Sequence, residues 1–481
     1  MSGPTPRGVI VVTPQEYRGT RYHNFDVDEA FGGVVSRGGV ELTCKSTDSE
    51  FTTLSASAAQ DAVRKAGEKL FATLSTSKGV QELFTAMSGG LSPVLQPGAL
   101  KSYPLFVKIE GDSPEPDGIP WEIIWEQRRQ FLCLDPRGRW PVARLVSAST
   151  RLQPIVRSIE PVLKVALVLA AVGESGAEEW KSFEQAVAAL SVAVHVLVLV
   201  SEDAALDAAR KDLAGWSATR GTGEVRFVGD QASLVEQILA FSPNILHFFC
   251  HGTADTAPEL EVETRVDRRS DPPKSRGSIR LTETQLAGVA IMRSLWLVVL
   301  NCCRGARPTP NLHSLARSLV TSGVPAVVAM RESIDVADGN LFTQSFYRSL
   351  LKQLSDEVFA LYPAPASATD PLCVPELLWM KATDEARRGL SQVPGRDPAT
   401  HSQWTYPVLY IYRDELRLER RDRAQVEATL EQKVEKAVPL ALLNQLFESM
   451  RPGADPASDR KRREVATILG LEKSLEDAPS P

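Results

Sequence analysis

The chain has 481 residues, 43% of them hydrophobic, enough for a substantial core and for two or three domains. Its net charge of −6 comes from mixed signs, so no global basic field points to nucleic acid. No apolar run reaches the roughly 18 residues of a membrane span, and the opening MSGPTPRGVIVV lacks a signal peptide's apolar core, so a cytoplasmic protein without membrane contact is expected.

The first part reads as strand-rich. GVIVV (8–12) and GVELTCK (39–45) are strand candidates, and ASAAQDAVRKAGEKLFATL (56–74) has helical spacing. YPLFVKI (103–109), FLCL (131–134) and PVARLV (141–146) read as strands again, with Asp, Pro and Gly in the turns between them.

From about residue 160 the rhythm changes. VLKVALVLAAV (162–172), VHVLVLV (194–200), EVRFV (224–228), NILHFFC (244–250), SLWLVVL (294–300) and VPAVVAM (324–330) are strands, most of them continuously apolar. Helical segments separate them, and helices at 338–354 and 374–390 precede a last strand, YPVLYIY (406–412). Strands apolar on both faces and alternating with helices predict a mostly parallel α/β sheet flanked by helices. The charged, Pro-containing segment 259–277 reads as a long exposed loop, with the stretch 253–277 exposed and able to gate a cleft. Past Tyr412 the composition turns highly charged, and 416–475 reads as a helical appendage. Three parts are expected: 1–155, 156–415 and 416–481.

Six cysteines are scattered without a C-x-x-C pair, which predicts reduced thiols and no zinc ribbon; neither a metal nor a cofactor is expected. There is no G-x-x-x-x-G-K-[ST] for a nucleotide phosphate.

In an open parallel sheet, chemistry gathers at the carboxyl ends of the strands. One strand ends in HFFCHG, delivering His251 and Gly252. Another ends in LVVLNCCRGA, delivering Asn301, Cys302, Cys303 and Arg304. Cys303 comes about 50 residues after His251, the spacing logic of caspases. A thiol nucleophile needs a base to take its proton, and the backbone N–H groups of Gly252 and Cys303 are candidates for an oxyanion hole. Taken singly, each residue has a plainer reading. A cysteine closing a buried strand is usually a core residue, and His247, between Leu246 and Phe248, reads as a hydrogen-bonded core histidine. Alternation turns Cys250 and Cys302 away from the site.

GIPWEIIW (118–125), ILHFFCHG, LWLVVLNCCRG, LHSLARSLVTSGVPAVVAM, SFYRSLLK (345–352), ATDEARRGL (382–390) and WTYPVLYIY (404–412) stand in an order that resembles the CHAT-domain family of caspase- and separase-like cysteine peptidases. The resemblance spans about residues 100–412. It implies a caspase-like fold in which 1–155 forms a degenerate caspase-like subdomain and 156–415 the active one. It also implies His251 as general base and Cys303 as nucleophile of an endopeptidase. Family members often act in bacterial defence or cell-death systems, some cleaving gasdermin-like pore formers. The resemblance therefore implies a protein substrate, and the appendage 416–481 is the expected contact for an activating partner. Two departures concern the substrate pocket, for which Asn301, Asp335 and Asp338 are the candidates. Val336 stands where the family commonly carries an acid, and Asn301 stands where relatives that cut after Arg or Lys often carry Asp. The competing reading is a catalytically silent peptidase fold that binds a partner protein.

Overall fold

The computed structural model describes residues 7–17, 20–30, 33–34, 61–90, 102–110, 115–146, 155–188, 192–217, 220–253, 258–271, 276–302, 312–361, 372–412 and 416–420. Cys303, Arg304, the 39–45 strand and all of the appendage past residue 420 lie outside the described residues.

β1 (Gly8–Tyr17) and β2 (Thr20–Ala30) form an antiparallel hairpin, which the two-residue β3 (Gly33–Val34) extends. Two helices follow, α1 (Ala62–Ser75) and α2 (Lys78–Gly90); α1 buries Val63, Ala66, Leu70 and Leu74, a stripe of helical period. β4 (Leu105–Ile109) leads through the short α3 (Glu115–Gly118) and the ribbon of β5 (Trp125–Glu126) and β6 (Gln130–Phe131) to β7 (Val142–Val146). In the expected strand 131–134, only Phe131 is extended; Leu132–Leu134 is a 3-10 turn that buries Leu132 and Cys133.

After β8 (Ile155–Ile159), strands and helices alternate: β9 (Leu163–Leu169), α4 (Gly176–Val187), β10 (Val194–Val200), α5 (Asp203–Ala214), β11 (Gly221–Phe227), α6 (Gln231–Phe241) and β12 (Ile245–Thr253). β13 (Glu259–Val262), α7 (Arg265–Arg268), β14 (Ile279–Thr282) and α8 (Glu283–Ala290) come before β15 (Leu297–Cys302). The rest is α9 (Leu312–Thr321), β16 (Ala326–Met330), α10 (Val336–Gln353), β17 (Leu372–Val374), α11 (Glu376–Ser391), β18 (Pro407–Tyr412) and β19 (Leu416–Arg420).

The main sheet runs β11-β10-β9-β12-β15-β16-β18-β7-β4-β1-β2-β3. Its first six strands are mutually parallel. β18 joins β16 antiparallel and passes the sheet on to β7, which is parallel to it, so residues 1–155 and 156–415 share one sheet. The described residues up to Glu419 belong to one compact unit.

The apolar strands explain the two layers of helix. Along β9, Val165, Leu167 and Leu169 join one buried cluster while Ala166, Val168 and Ala170 join another. The first cluster takes in Trp180 and Phe183 of α4, Ala205 of α5, Phe342 and Phe346 of α10 and Leu378 of α11. The second takes in Leu234 of α6, Leu286 of α8 and Leu315 of α9. Period-2 alternation with both faces apolar therefore leaves neither face of these strands to water.

Two expectations are corrected. Within the segment 259–277, the described residues 259–267 are not an exposed loop. β13 pairs with β12 and β14, Leu260 and Val262 are fully buried, and Glu261, Glu263 and Asp267 are buried with them. The charges that suggested a loop are matched within the hairpin. Arg280 of β14 lies 2.7 Å from Glu261, and Asp267 accepts hydrogen bonds from the backbone N–H groups of Thr264 and Ser278.

The second correction is at residues 416–420, expected to begin the helical appendage. They form β19, the middle strand of a three-stranded sheet between β17 and β8, with Leu416 and Leu418 buried. Period-2 alternation of leucine with charge decides this. Truncation after Arg413 should therefore cost about 3–6 kcal/mol, from two buried leucines at about 1.5–3 kcal/mol each. Truncation after Arg420 keeps both. A thermal melt comparing the two truncations checks this; equal melting temperatures would count against a core role for β19.

Candidate active site

The first six strands of the sheet follow the order 3-2-1-4-5-6, counted from β9. In such a sheet the strand order reverses between β9 and β12, and the crevice at their carboxyl ends is where ligands bind. The ends of these two strands carry Val172 and His251.

His251 is 94% withdrawn from solvent, at 6% exposure, and its Nε2 lies 2.8 Å from the carbonyl oxygen of Val172. A carbonyl only accepts, so Nε2 carries a hydrogen and donates it. In the neutral ring the proton-accepting nitrogen is then Nδ1. A main-chain carbonyl thus orients the imidazole. The loop carrying Val172 is itself pinned: Ala170 N donates to Phe249 O, and Glu263 N donates to Ala170 O. β12 pairs with β9 as far as Phe249 and with β15 as far as Cys250; from His251 on it pairs with β13, Gly252 opposite Leu260.

On the neighbouring strand, Cys302 is the register partner of Cys250 and Asn301 that of Phe249. Cys250 and Cys302 are buried cysteines outside any disulfide, in the second cluster and on the sheet face opposite to His247 and Asn301. Cys303 is the next residue in the chain and lies outside the described residues, as does Arg304.

The three pocket candidates are engaged by the protein itself. The Asn301 amide is fully buried, and Nδ2 donates among Glu179 Oε1 (2.9 Å), Gly339 O (3.1 Å) and Thr343 Oγ1 (3.1 Å). Both carboxylate oxygens of the buried Asp338 lie 2.6 Å from Arg396 Nη1. Asp335 precedes the first turn of α10 and accepts from Gln403 Nε2 at 2.7 Å. His247, expected in the core, is fully buried, with Nε2 2.9 Å from Glu179 Oε1 and its ring 5.6 Å from that of Tyr347. Arg331, just past β16, is buried against Glu332 and the ring of Tyr406.

A sequence profile of the CHAT domain matches residues 69–362, well over half of the chain. The chain belongs to the CHAT-domain family. His251, Asn301, Cys303 and the pocket candidates all fall inside the matched CHAT domain; α11 and β18, the latter seated in the middle of its sheet, lie beyond it. No curated protein sequence matches the chain. Among solved structures, the chain is similar to separase in the Saccharomyces cerevisiae separase–securin complex at 2.6 Å. That match has 9% identity and a TM-score of 0.32, and covers 72% of this chain and 18% of separase. A second structure of the same complex, at 3.0 Å, aligns with 9% identity and a TM-score of 0.32 over 66% of this chain and 16% of that one. The chain spans less than a fifth of the length of these separases.

Sequence reading missed two groups at the CHAT domain site. The Val172 carbonyl carries no side-chain signal at all. Glu179 does carry one: it sits four residues before Phe183, on the buried stripe of α4, where an acid is out of place.

Proposed function

We propose that the protein is a caspase-like cysteine endopeptidase that uses a dyad of Cys303 and His251. The observation that carries this reading is the His251–Val172 contact at the reversal crevice, which leaves Nδ1 as the basic nitrogen of a histidine one residue past the Cys250–Cys302 register pair. Cys303 follows Cys302 directly in the chain. The Sγ of Cys303, its proton passed to His251, attacks the scissile carbonyl carbon. The C–N bond breaks, His251 returns the proton to the leaving amine, and a thioester remains. Water, deprotonated by the same imidazole, then hydrolyses the thioester and restores the thiol. Backbone N–H groups of Gly252 and Cys303 are the proposed oxyanion donors.

The family supports a folded protein as substrate, a gasdermin-like pore former among the choices, together with a cytoplasmic role in defence. Residues 420–481 are the proposed contact for an activating partner. Among the described residues, no helix is long and apolar enough to cross a membrane. A peptide-library cleavage profile of the wild type against Cys303→Ala tests the reading. Cleavage lost in the variant supports it; cleavage by neither protein favours the silent scaffold.

Specificity should not favour Arg or Lys at the cleaved position. A desolvated cation needs a carboxylate, Asn301 is neutral, and the Asp338 carboxylate is already held by Arg396. Arg–fluorophore peptides should be cleaved at least tenfold more slowly than the best small or apolar peptides. A strong preference for Arg that disappears in Asp335→Asn would overturn this.

A further inference from the structure

We infer that Glu179 is a positioning residue for the dyad, holding together the two strands that deliver His251 and Cys303; this rests on the reading of the dyad given above. Glu179 is 1% exposed, within the first turn of α4 and amid the aromatic cluster of Trp180, Phe183 and Tyr347. A carboxyl group in such surroundings costs several kcal/mol unless polar partners meet it. Three elements meet it. His247 comes from β12, four residues before His251, with Nε2 2.9 Å away. Asn301 comes from β15, two residues before Cys303, with Nδ2 2.9 Å away. Thr343, from α10, donates its hydroxyl to the same Oε1. Tyr347, also facing this group from α10, has its phenol pushed well above the ordinary range by burial and then by Glu179, so it stays protonated.

One oxygen atom thus accepts hydrogen bonds from β15 and α10 and lies against the His247 ring of β12 beneath the strand ends. α4 also holds the site at a second level. The turn before it carries Val172, whose carbonyl fixes the His251 ring, and Ser175 caps its first turn. The helix and its leading turn therefore touch both arms of the dyad: the histidine ring directly, and the strand of the cysteine through Asn301. A purely apolar residue at 179 would take from the Asn301 amide one of its three acceptors and from the His247 ring the carboxylate beside it. β12 and β15 would then keep only their backbone ladder to set the geometry at their tips. Sub-ångström freedom there is expensive, because a catalytic pair works only within a narrow range of geometry.

The test uses the full chain and iodoacetamide, with alkylation of each cysteine followed by mass spectrometry across pH. In the wild type, Cys303 should react with a midpoint below that of an ordinary thiol (about 8.5) and slow on His251→Ala. Glu179→Gln should lower the Cys303 rate at neutral pH at least tenfold and raise its midpoint. Glu179→Asp should recover part of the loss. Cys250 and Cys302, buried beside the site, report on loosening: under positioning they stay unlabelled. Should Glu179→Gln fail to fold, Thr343→Val removes one of the two side chains that donate hydrogen bonds to Glu179 from β15 and α10, and a twofold to fivefold loss at Cys303 is expected. An unchanged Cys303 rate and midpoint in the folded variant overturns the proposal. So does a loss accompanied by labelling of Cys250 or Cys302, which marks a merely structural role. A wild-type Cys303 that reacts as an ordinary thiol with or without His251 overturns the dyad itself, and is told apart because the wild type alone reveals it.

Discussion

Replacing Arg387 with methionine should destabilise the protein by about 3–5 kcal/mol, the usual cost of removing one member of a buried ion cluster. Arg387 of α11 is fully buried. Its guanidinium donates to Pro407 O from Nε and Nη2 (3.0 and 2.8 Å), to Val142 O and Asp384 Oδ1 from Nη1 (3.0 and 2.7 Å), and to Glu122 Oε1 from Nη2 (3.4 Å). It therefore bridges β18 and β7, the junction at which the two halves of the chain share a sheet. Methionine leaves Glu122 and Asp384 buried, with Arg144 3.6 Å from Glu122 and Arg388 near Asp384 as remaining cations.

Burial raises the Asp384 carboxyl to about 7, against the pull of Arg387. Because the folded value exceeds the unfolded one, the folded chain holds a proton that the unfolded chain has released. Wild-type stability should fall as pH rises from about 4 to about 7, then level off. Without Arg387 the carboxyl binds its proton more tightly still, so the deficit of the variant should shrink between about pH 8 and about pH 6. Urea unfolding at both pH values measures it. A loss below about 1 kcal/mol, or a deficit that grows on acidification, would sink this account of the cluster.

The second large effect is catalytic. Cys303→Ala should reduce peptide cleavage by about 10³-fold or more, since nucleophile and base act as a unit. His251→Ala should reduce it by about 10²–10⁴-fold. Cys302→Ala and Cys250→Ala should keep most activity, because both thiols are buried on the other face of the sheet. Activity lost in Cys302→Ala but kept in Cys303→Ala would place the nucleophile one residue earlier.

Much of the α/β core was legible because its strands are continuous apolar runs. Val194–Val200, Leu163–Leu169 and Ala326–Met330 need no partner information to be read as doubly covered. Segments whose charges are met by distant residues were not legible. Glu259–Val262 reads as a loop until Arg280 is set opposite Glu261. Leu416–Arg420 reads as the start of a charged tail until its leucines have β17 and β8 to pack between. The acids and arginines of GIPWEIIW and ATDEARRGL carried the family resemblance without revealing that Glu122, Asp384 and Arg387 meet. That is a contact across more than half the chain, and local pattern holds no trace of it. At the site, the strand-end position of His251 and the core role of His247 were readable from alternation. The pocket roles for Asn301, Asp335 and Asp338 were drawn from position in the chain, and their bonds to Glu179, Gln403 and Arg396 became visible only in three dimensions.

The most direct measurement is covalent capture. The full chain is treated with a peptidyl electrophile built on its best-cleaved peptide, digested, and mapped by mass spectrometry. A single adduct on Cys303, formed at least a hundredfold more slowly in His251→Ala, is the predicted result. An adduct on another cysteine, or one on Cys303 that forms equally fast without His251, would contradict the dyad.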